Sequence, residues 1–232
     1  MTSEHLRIGN NGSRHFCQTD SKHGVVNMRK REKSIYSRHS TRHFDSNHTI
    51  SKENQERILQ AGLRAPSPKN RQPWKLVVID RKDTIKRLSS VMETQVRSLK
   101  NARDQMKRDS SDLDMAISTA NIIRSTSMVV LVCYERDESN EHGELMDWPI
   151  TAQAFEVADI QAIGACIENM LLTAEEMNIA SLWICDVLYA EKELSDAFGL
   201  TSPLVAAVAF GKAAPYQSPR QSLSEKVRWV ME

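Results

Sequence analysis

Apolar residues recur along the chain at two spacings, one helical and one extended. Ile58, Leu59 and Leu63 fall at helical spacing behind Ser51, whose hydroxyl can cap the free N–H groups of a first turn containing Glu53. That helix is expected to end before Pro66, because the residue ahead of a proline is pushed out of the α region. Residues 76–79, Leu-Val-Val-Ile, are continuous and mostly β-branched, as in a strand covered on both faces. The long polar stretch over residues 83–108 reads as helix, and the apolar run over residues 128–134 as a second buried strand. Ile160, Ile163, Ile167, Met170, Ala174 and Met177 then step by three and four, predicting a long amphipathic helix from about Asp159. Gly164 and Ala165 inside it would let another helix come close. Residues 180–185 and 204–210 read as further strands, separated by a short helix over residues 191–198 that stops at Gly199. Helices and strands alternate too irregularly for a doubly wound sheet, and there is no internal repeat.

Composition narrows the class. With 232 residues, 40% hydrophobic and 26% charged, the chain has an ordinary globular balance and enough length to bury a real core. Its longest apolar runs fall far short of the roughly 20 residues needed to cross a bilayer, so no membrane partner is expected. Residues 1–33 are polar and lack apolar periodicity, and cannot bury enough surface to offset their ordering entropy. They are expected to form a disordered or loosely attached extension to a domain over residues 34–232, with Met28 as an alternative start. No charged start followed by an apolar stretch and a cleavage site is visible, which predicts a cytoplasmic location. Cys17, Cys133, Cys166 and Cys185 show no C-x-x-C spacing and read as free thiols. Residues 1–50 carry nine Lys and Arg against four Asp and Glu, while the remainder carries 22 against 26. A basic arm on a mildly acidic body is compatible with nucleic acid, but no nucleic-acid motif accompanies it and none is expected as a partner.

Two clusters carry candidate chemistry. In Arg38-His39-Ser40-Thr41-Arg42-His43-Phe44, two guanidinium groups four residues apart flank a hydroxyl. That set suits a phosphate monoester, since arginine offers charged bidentate donors, although a basic stretch is also read simply as a solvated face. In Ala65-Pro66-Ser67-Pro68-Lys69-Asn70-Arg71-Gln72-Pro73-Trp74, three prolines stiffen a loop on which Ser67, Asn70 and Gln72 can be held as fixed polar groups. A plain turn with Trp74 as core filler is the simpler reading of the same residues. His39 and His43 share a helical spacing, but no carboxylate motif accompanies them and no metal is expected. Nothing near Cys185 in sequence would lower its pKa, so it reads as a passive thiol.

The pairing of R-x-S-x-R-x-F with A-P-S-x-x-N-x-Q-P-W resembles the nitroreductase family of flavoproteins. The resemblance runs on through the helix from Asp159, the segment Ser181-Leu182-Trp183-Ile184-Cys185-Asp186, and the tail Pro219-Arg220 leading to Val227-Arg228-Trp229-Val230. It implies an α+β, nitroreductase-like fold, a central mainly antiparallel sheet flanked by helices, in an intertwined homodimer. It also implies bound FMN, NADH or NADPH as hydride donor, and a small-molecule acceptor such as a nitroaromatic or quinone. Reductive dehalogenation or enone reduction on the same fold, or flavin binding without turnover, remain alternatives. By the resemblance, Arg38, His39 and Ser40 match the stretch at the FMN phosphate and ribityl chain, and Arg220 completes the phosphate site. Arg42 matches a cationic position near N1 and O2 of the ring. Pro66, Ser67 and Asn70 match the loop against the isoalloxazine, with Gln72 beside them. Cys185 and Asp186 match the place where a backbone N–H approaches flavin N5, and Asp186 stands where many relatives carry glycine. No catalytic side chain is expected, because flavin N5 carries the chemistry.

Overall fold

The computed structural model describes residues 30–135 and 152–214, and side chains over residues 33–135 and 156–214. Arg220, the tail around it, Cys17 and the acidic segment ahead of Trp148 lie outside the described residues. The elements run α1 (Lys30–Ser37), α2 (Lys52–Gly62), β1 (Trp74–Ile79), α3 (Lys82–Gln105), α4 (Ser111–Arg124), β2 (Met128–Tyr134), α5 (Ala152–Glu176), β3 (Ala180–Ile184), α6 (Glu191–Phe198) and β4 (Leu204–Gly211). Helix α1 straddles the boundary expected at residues 33 and 34.

The four strands form one antiparallel sheet in the order β1-β2-β4-β3. Strand β2 is buried at every position, and its alternation feeds two cores. Val129, Leu131 and Cys133 face α3, α4 and α6, while Met128, Val130, Val132 and Tyr134 face α2 and α5. Each fully buried branched side chain contributes on the order of 1.5–3 kcal/mol, which is why an all-apolar strand must lie inside. Strand β1 departs from the covered strand predicted for it. It lies at the sheet edge with Lys75 solvent-facing and Val78 38% exposed.

Several boundaries follow local chemistry. Ser51 caps α2 by accepting from Asn54 N, and α6 ends at Gly199 with φ +64°, a left-handed residue that glycine supplies without strain. Helix α5 begins at Ala152, before the expected Asp159. It has a 21-residue apolar stretch of the length and composition of a membrane span, yet Ile163, Cys166, Ile167, Met170 and Ala174 are fully buried against the sheet and α2. Among the described residues Gly164 lies under the indole of Trp183 from β3, 3.6 Å from where its β-carbon would stand. At Gly62 a β-carbon would meet Met170 Cγ at 2.8 Å, so glycine there sets how closely α2 and α5 approach.

Candidate active site

Residues 38–44 leave α1 and run along the free edge of β3. Ser40 and Ser181 form a parallel bridge, and Thr41 N donates to Ser181 O at 3.0 Å. Further on, Asp45 N donates to Lys212 O at 2.9 Å and Ala214 N to His43 O at 2.9 Å. Phe44 is buried against Gly211, where a β-carbon would come within 2.8 Å of its ring. The segment is therefore clamped at both ends by the sheet.

That clamp sorts the side chains. Thr41 and Phe44 point inward, while Ser40 and Arg42 are exposed. Arg38 Nε lies 3.4 Å from Glu168 Oε1 of α5, His39 Nδ1 lies 3.1 Å from Ser37 O, and the Arg42 guanidinium reaches Ser40 O at 3.5 Å. Among the described residues Arg42 makes no ion pair, and the buried Thr41 hydroxyl has no hydrogen-bond partner. The exposed Ser40 hydroxyl and Arg42 guanidinium are donors of the kind that could serve an anion.

The proline-rich loop, with a 3₁₀ turn over Pro68–Asn70, carries backbone strain. Lys69, Asn70 and Gln72 have φ of 52°, 57° and 52°, a left-handed conformation that costs a side-chain-bearing residue about 1 kcal/mol or more. Backbone bonds brace it: Asn70 N donates to Ser67 O at 3.0 Å, Arg71 N to Pro68 O at 3.1 Å and Trp74 N to Gln72 O at 2.8 Å. Ser67 Oγ accepts from Gln72 N at 2.9 Å, so this hydroxyl shapes the loop. Pro66, Asn70 and Gln72 are left exposed.

Arg71 was not singled out by the sequence, yet it anchors this loop. Its Nε and Nη2 lie 3.2 and 2.5 Å from Asp159 Oδ1 on α5, and Tyr134 OH donates to Asp159 Oδ2 at 3.2 Å. Nothing local links residues 88 positions apart, so only the fold reveals the pair. Glu168 and Thr119 were missed for the same reason.

Cys185 follows the last residue of β3 and opens a second 3₁₀ turn, Asp186–Ala190. Burial of part of the thiol and the neighbouring Asp186 charge push the Cys185 pKa up. The Asp186 carboxylate lies 2.6 Å from the Thr119 hydroxyl of α4, and Tyr189 OH donates to Asp112 Oδ2 at 2.8 Å. The Tyr189 and Arg103 hydrogen bonds hold the Asp112 carboxyl below its usual range. The turn is thereby tied to α4, with the Asp186 charge held on that side.

Helix α5 joins the parts. Asp159 grips the proline-rich loop and Glu168 grips Arg38, nine residues apart and so roughly 13 Å along the axis. Ser40 is bridged to Ser181 near the start of β3, while Cys185 follows the strand's other end, roughly 13 Å away along it. The described candidates are thus held by α5 and by the two ends of β3, with Arg220 outside the described residues.

Known proteins resemble this chain in sequence and in fold. A protein of Archaeoglobus fulgidus, provisionally named NADH dehydrogenase/NAD(P)H nitroreductase, is 26% identical over 152 residues; the match covers 66% of this chain and 65% of that protein. A BluB-like flavoprotein of Clostridium difficile 630 superposes with a TM-score of 0.70 at 23% identity, covering 86% of this chain and 98% of the other. A protein of Desulfovibrio desulfuricans, provisionally described as a nitroreductase and solved with FMN, gives 0.64 at 24% identity, covering 89% and 99%. The α+β fold expected from the motifs is the fold these structures share. The sequence model of the Nitroreductase family matches residues 35–212, and the chain belongs to that family.

Proposed function

We propose that the chain is an NAD(P)H-dependent FMN oxidoreductase that reduces a small oxidised acceptor, such as a nitroaromatic or a quinone, and acts as a homodimer. One observation carries the reading. Helix α5 fixes a phosphate-suited segment and a polar, strained loop at two points roughly 13 Å apart, the layout needed by a ligand with an anionic end and a flat hydrogen-bonding end. The FMN bound to the Desulfovibrio desulfuricans relative and the name of the Archaeoglobus fulgidus protein support the cofactor and the nucleotide.

The residues present fit FMN. Arg38 and Ser40, with Arg220 from outside the described residues, would hold the phosphate, and His39 would adjoin the ribityl chain. Arg42, exposed and free of an ion pair among the described residues, would put a fixed positive charge near N1 and O2, favouring negative charge on the ring. Asn70 and Gln72 would answer the ring's donors and acceptors, with Pro66 and Ser67 shaping the loop beneath it. The backbone where β3 gives way to the turn, at Cys185 and Asp186, would approach N5. Bound FMN supplies hydride acceptance at N5, and the protein supplies binding, orientation and electrostatics.

The test is an absorption spectrum of the purified protein before and after each nucleotide, followed by acceptor assays. A yellow protein bleached by NADH or NADPH and reoxidised by nitroaromatics or quinones is expected. A colourless protein that cannot be reconstituted with FMN overturns the reading, and a reduced flavin that no such acceptor reoxidises removes the acceptor assignment.

A further inference from the structure

Three of the four residues from Lys69 to Gln72 sit in the left-handed region, and none is glycine. The exception is Arg71, with φ −67° and ψ −25°. Its side chain leaves the loop and enters the protein, where Arg71 is 14% and Asp159 8% exposed. Two guanidinium nitrogens meet one carboxylate oxygen of Asp159, and the hydroxyl of Tyr134, a residue 7% exposed at the end of β2, meets the other. Tyr134 is itself held in the sheet, its N donating to Pro203 O at 2.8 Å, while the next residue, Glu135, donates from N to Pro73 O at 3.1 Å. Loop, helix α5 and strand β2 thus meet at one buried carboxylate with both oxygens engaged. A buried carboxylate so partnered is rigid, because losing either partner leaves charge without compensation.

We propose that Arg71, Asp159 and Tyr134 are positioning residues for the flavin, acting through the loop and not by contact. The inference rests on the reading of this loop as the flavin-facing one. The strained residues on either side of Arg71 are Asn70 and Gln72, whose polar groups face outward. Left alone, Lys69, Asn70 and Gln72 would relax toward negative φ and turn those groups away. Anchoring Arg71 at two nitrogens fixes the peptide planes on both sides of it, so the two polar side chains keep one orientation before any ligand arrives. Lysine cannot substitute, since a single ammonium offers a point charge where the guanidinium offers a planar fork.

The test uses Arg71→Lys and Tyr134→Phe in the full chain, with far-UV circular dichroism and thermal denaturation to verify folding. Arg71→Lys is expected to weaken FMN binding about tenfold in a fluorescence titration, to shift the flavin absorption bands and to change its midpoint potential. Tyr134→Phe, which keeps the ion pair, is expected to weaken it about threefold with the same sign of spectral shift. Adding Lys69→Gly to Arg71→Lys is expected to recover part of the affinity, because glycine adopts the left-handed conformation without strain. Folded variants that bind FMN with wild-type affinity, spectrum and potential overturn the proposal while leaving the flavin reading intact. Lost affinity with an unchanged spectrum, and no recovery from Lys69→Gly, also overturns it in favour of a purely structural ion pair. Failure of the wild-type chain to bind FMN would instead defeat the underlying flavin reading.

Discussion

Glu168 pairs with Arg38, the residue proposed to hold the phosphate. Its carboxylate, 43% exposed, lies 3.4 Å from the guanidinium, so a phosphate arriving at Arg38 meets a competing negative charge. Partly exposed pairs of this kind contribute about 0.2–1 kcal/mol. Glu168→Gln is therefore expected to tighten FMN binding by at most about fivefold by that measure, with the gain shrinking at high salt; looser binding would mean that Glu168 orients Arg38. A second expectation concerns Cys185. Burial and Asp186 raise its thiol pKa, so the protonated form dominates at neutral pH and less reactive thiolate is present there than for an ordinary thiol. Iodoacetamide labelling of Cys185 should be slow at pH 7 and climb past pH 9 in the FMN-free protein. Fast labelling at neutral pH would require a cation near the thiol. At this scale the motifs single out Arg38, Ser40, Arg42 and Asn70 as candidates, and the structure leaves Ser40, Arg42 and Asn70 exposed. Arg71 and Asp159 are not among those candidates, because a long-range ion pair has no local signature.

At the scale of elements, the clamp on residues 38–44 depends on what is missing from one residue. Gly211 leaves room for the Phe44 ring, and a β-carbon there would lie 2.8 Å from it with Ser127 N 3.5 Å away. Gly211→Ala is expected to destabilise the fold by about 1–3 kcal/mol, the usual consequence of overpacking, and to loosen FMN by displacing the segment. Chemical denaturation and a flavin titration measure both, and unchanged values would mean that Phe44 simply rotates aside. The elements were legible where the pattern was extreme. Strand β2 ran as expected because seven apolar residues in a row permit little else, and α6 ended where Gly199 allowed a left-handed turn. Helix α4 escaped notice although Leu113, Ala116, Ile117, Ala120 and Ile123 are buried at helical spacing behind Asp112 and Asp114. Ser118, Thr119 and Asn121 dilute that stripe to the eye. Strand β1 misled in the other direction, since β-branched residues suit an edge as readily as a centre.

For the whole molecule, one group of exposed apolar residues lies on elements that touch one another. Ile35 and Tyr36 on α1, Leu63 after α2, and Val157 and Ile160 on α5 are exposed at 54, 72, 40, 51 and 39%. These elements pack together, α2 and α1 both against α5, so their exposed apolar groups suit a subunit contact. Sedimentation is expected to give a dimer, and Val157→Lys with Ile160→Lys to give monomers with weakened FMN binding. A wild-type monomer that holds FMN fully would remove the partner subunit from the site. The two-core layout follows from the alternation along β2, but the sheet order does not, because antiparallel neighbours in space need not be neighbours in the chain.

The bridge from Ser40 to Ser181 has one more effect. Among the described residues strand β3 ends the sheet, and an outermost strand with free amide and carbonyl groups can recruit strands from other molecules. Thr41 covers that border at a single hydrogen bond, inside the very stretch whose arginines are proposed to take an anion. Whatever fastens those arginines also fastens the cover, so a solution starved of ligand should turn cloudy on gentle warming sooner than one supplied with it.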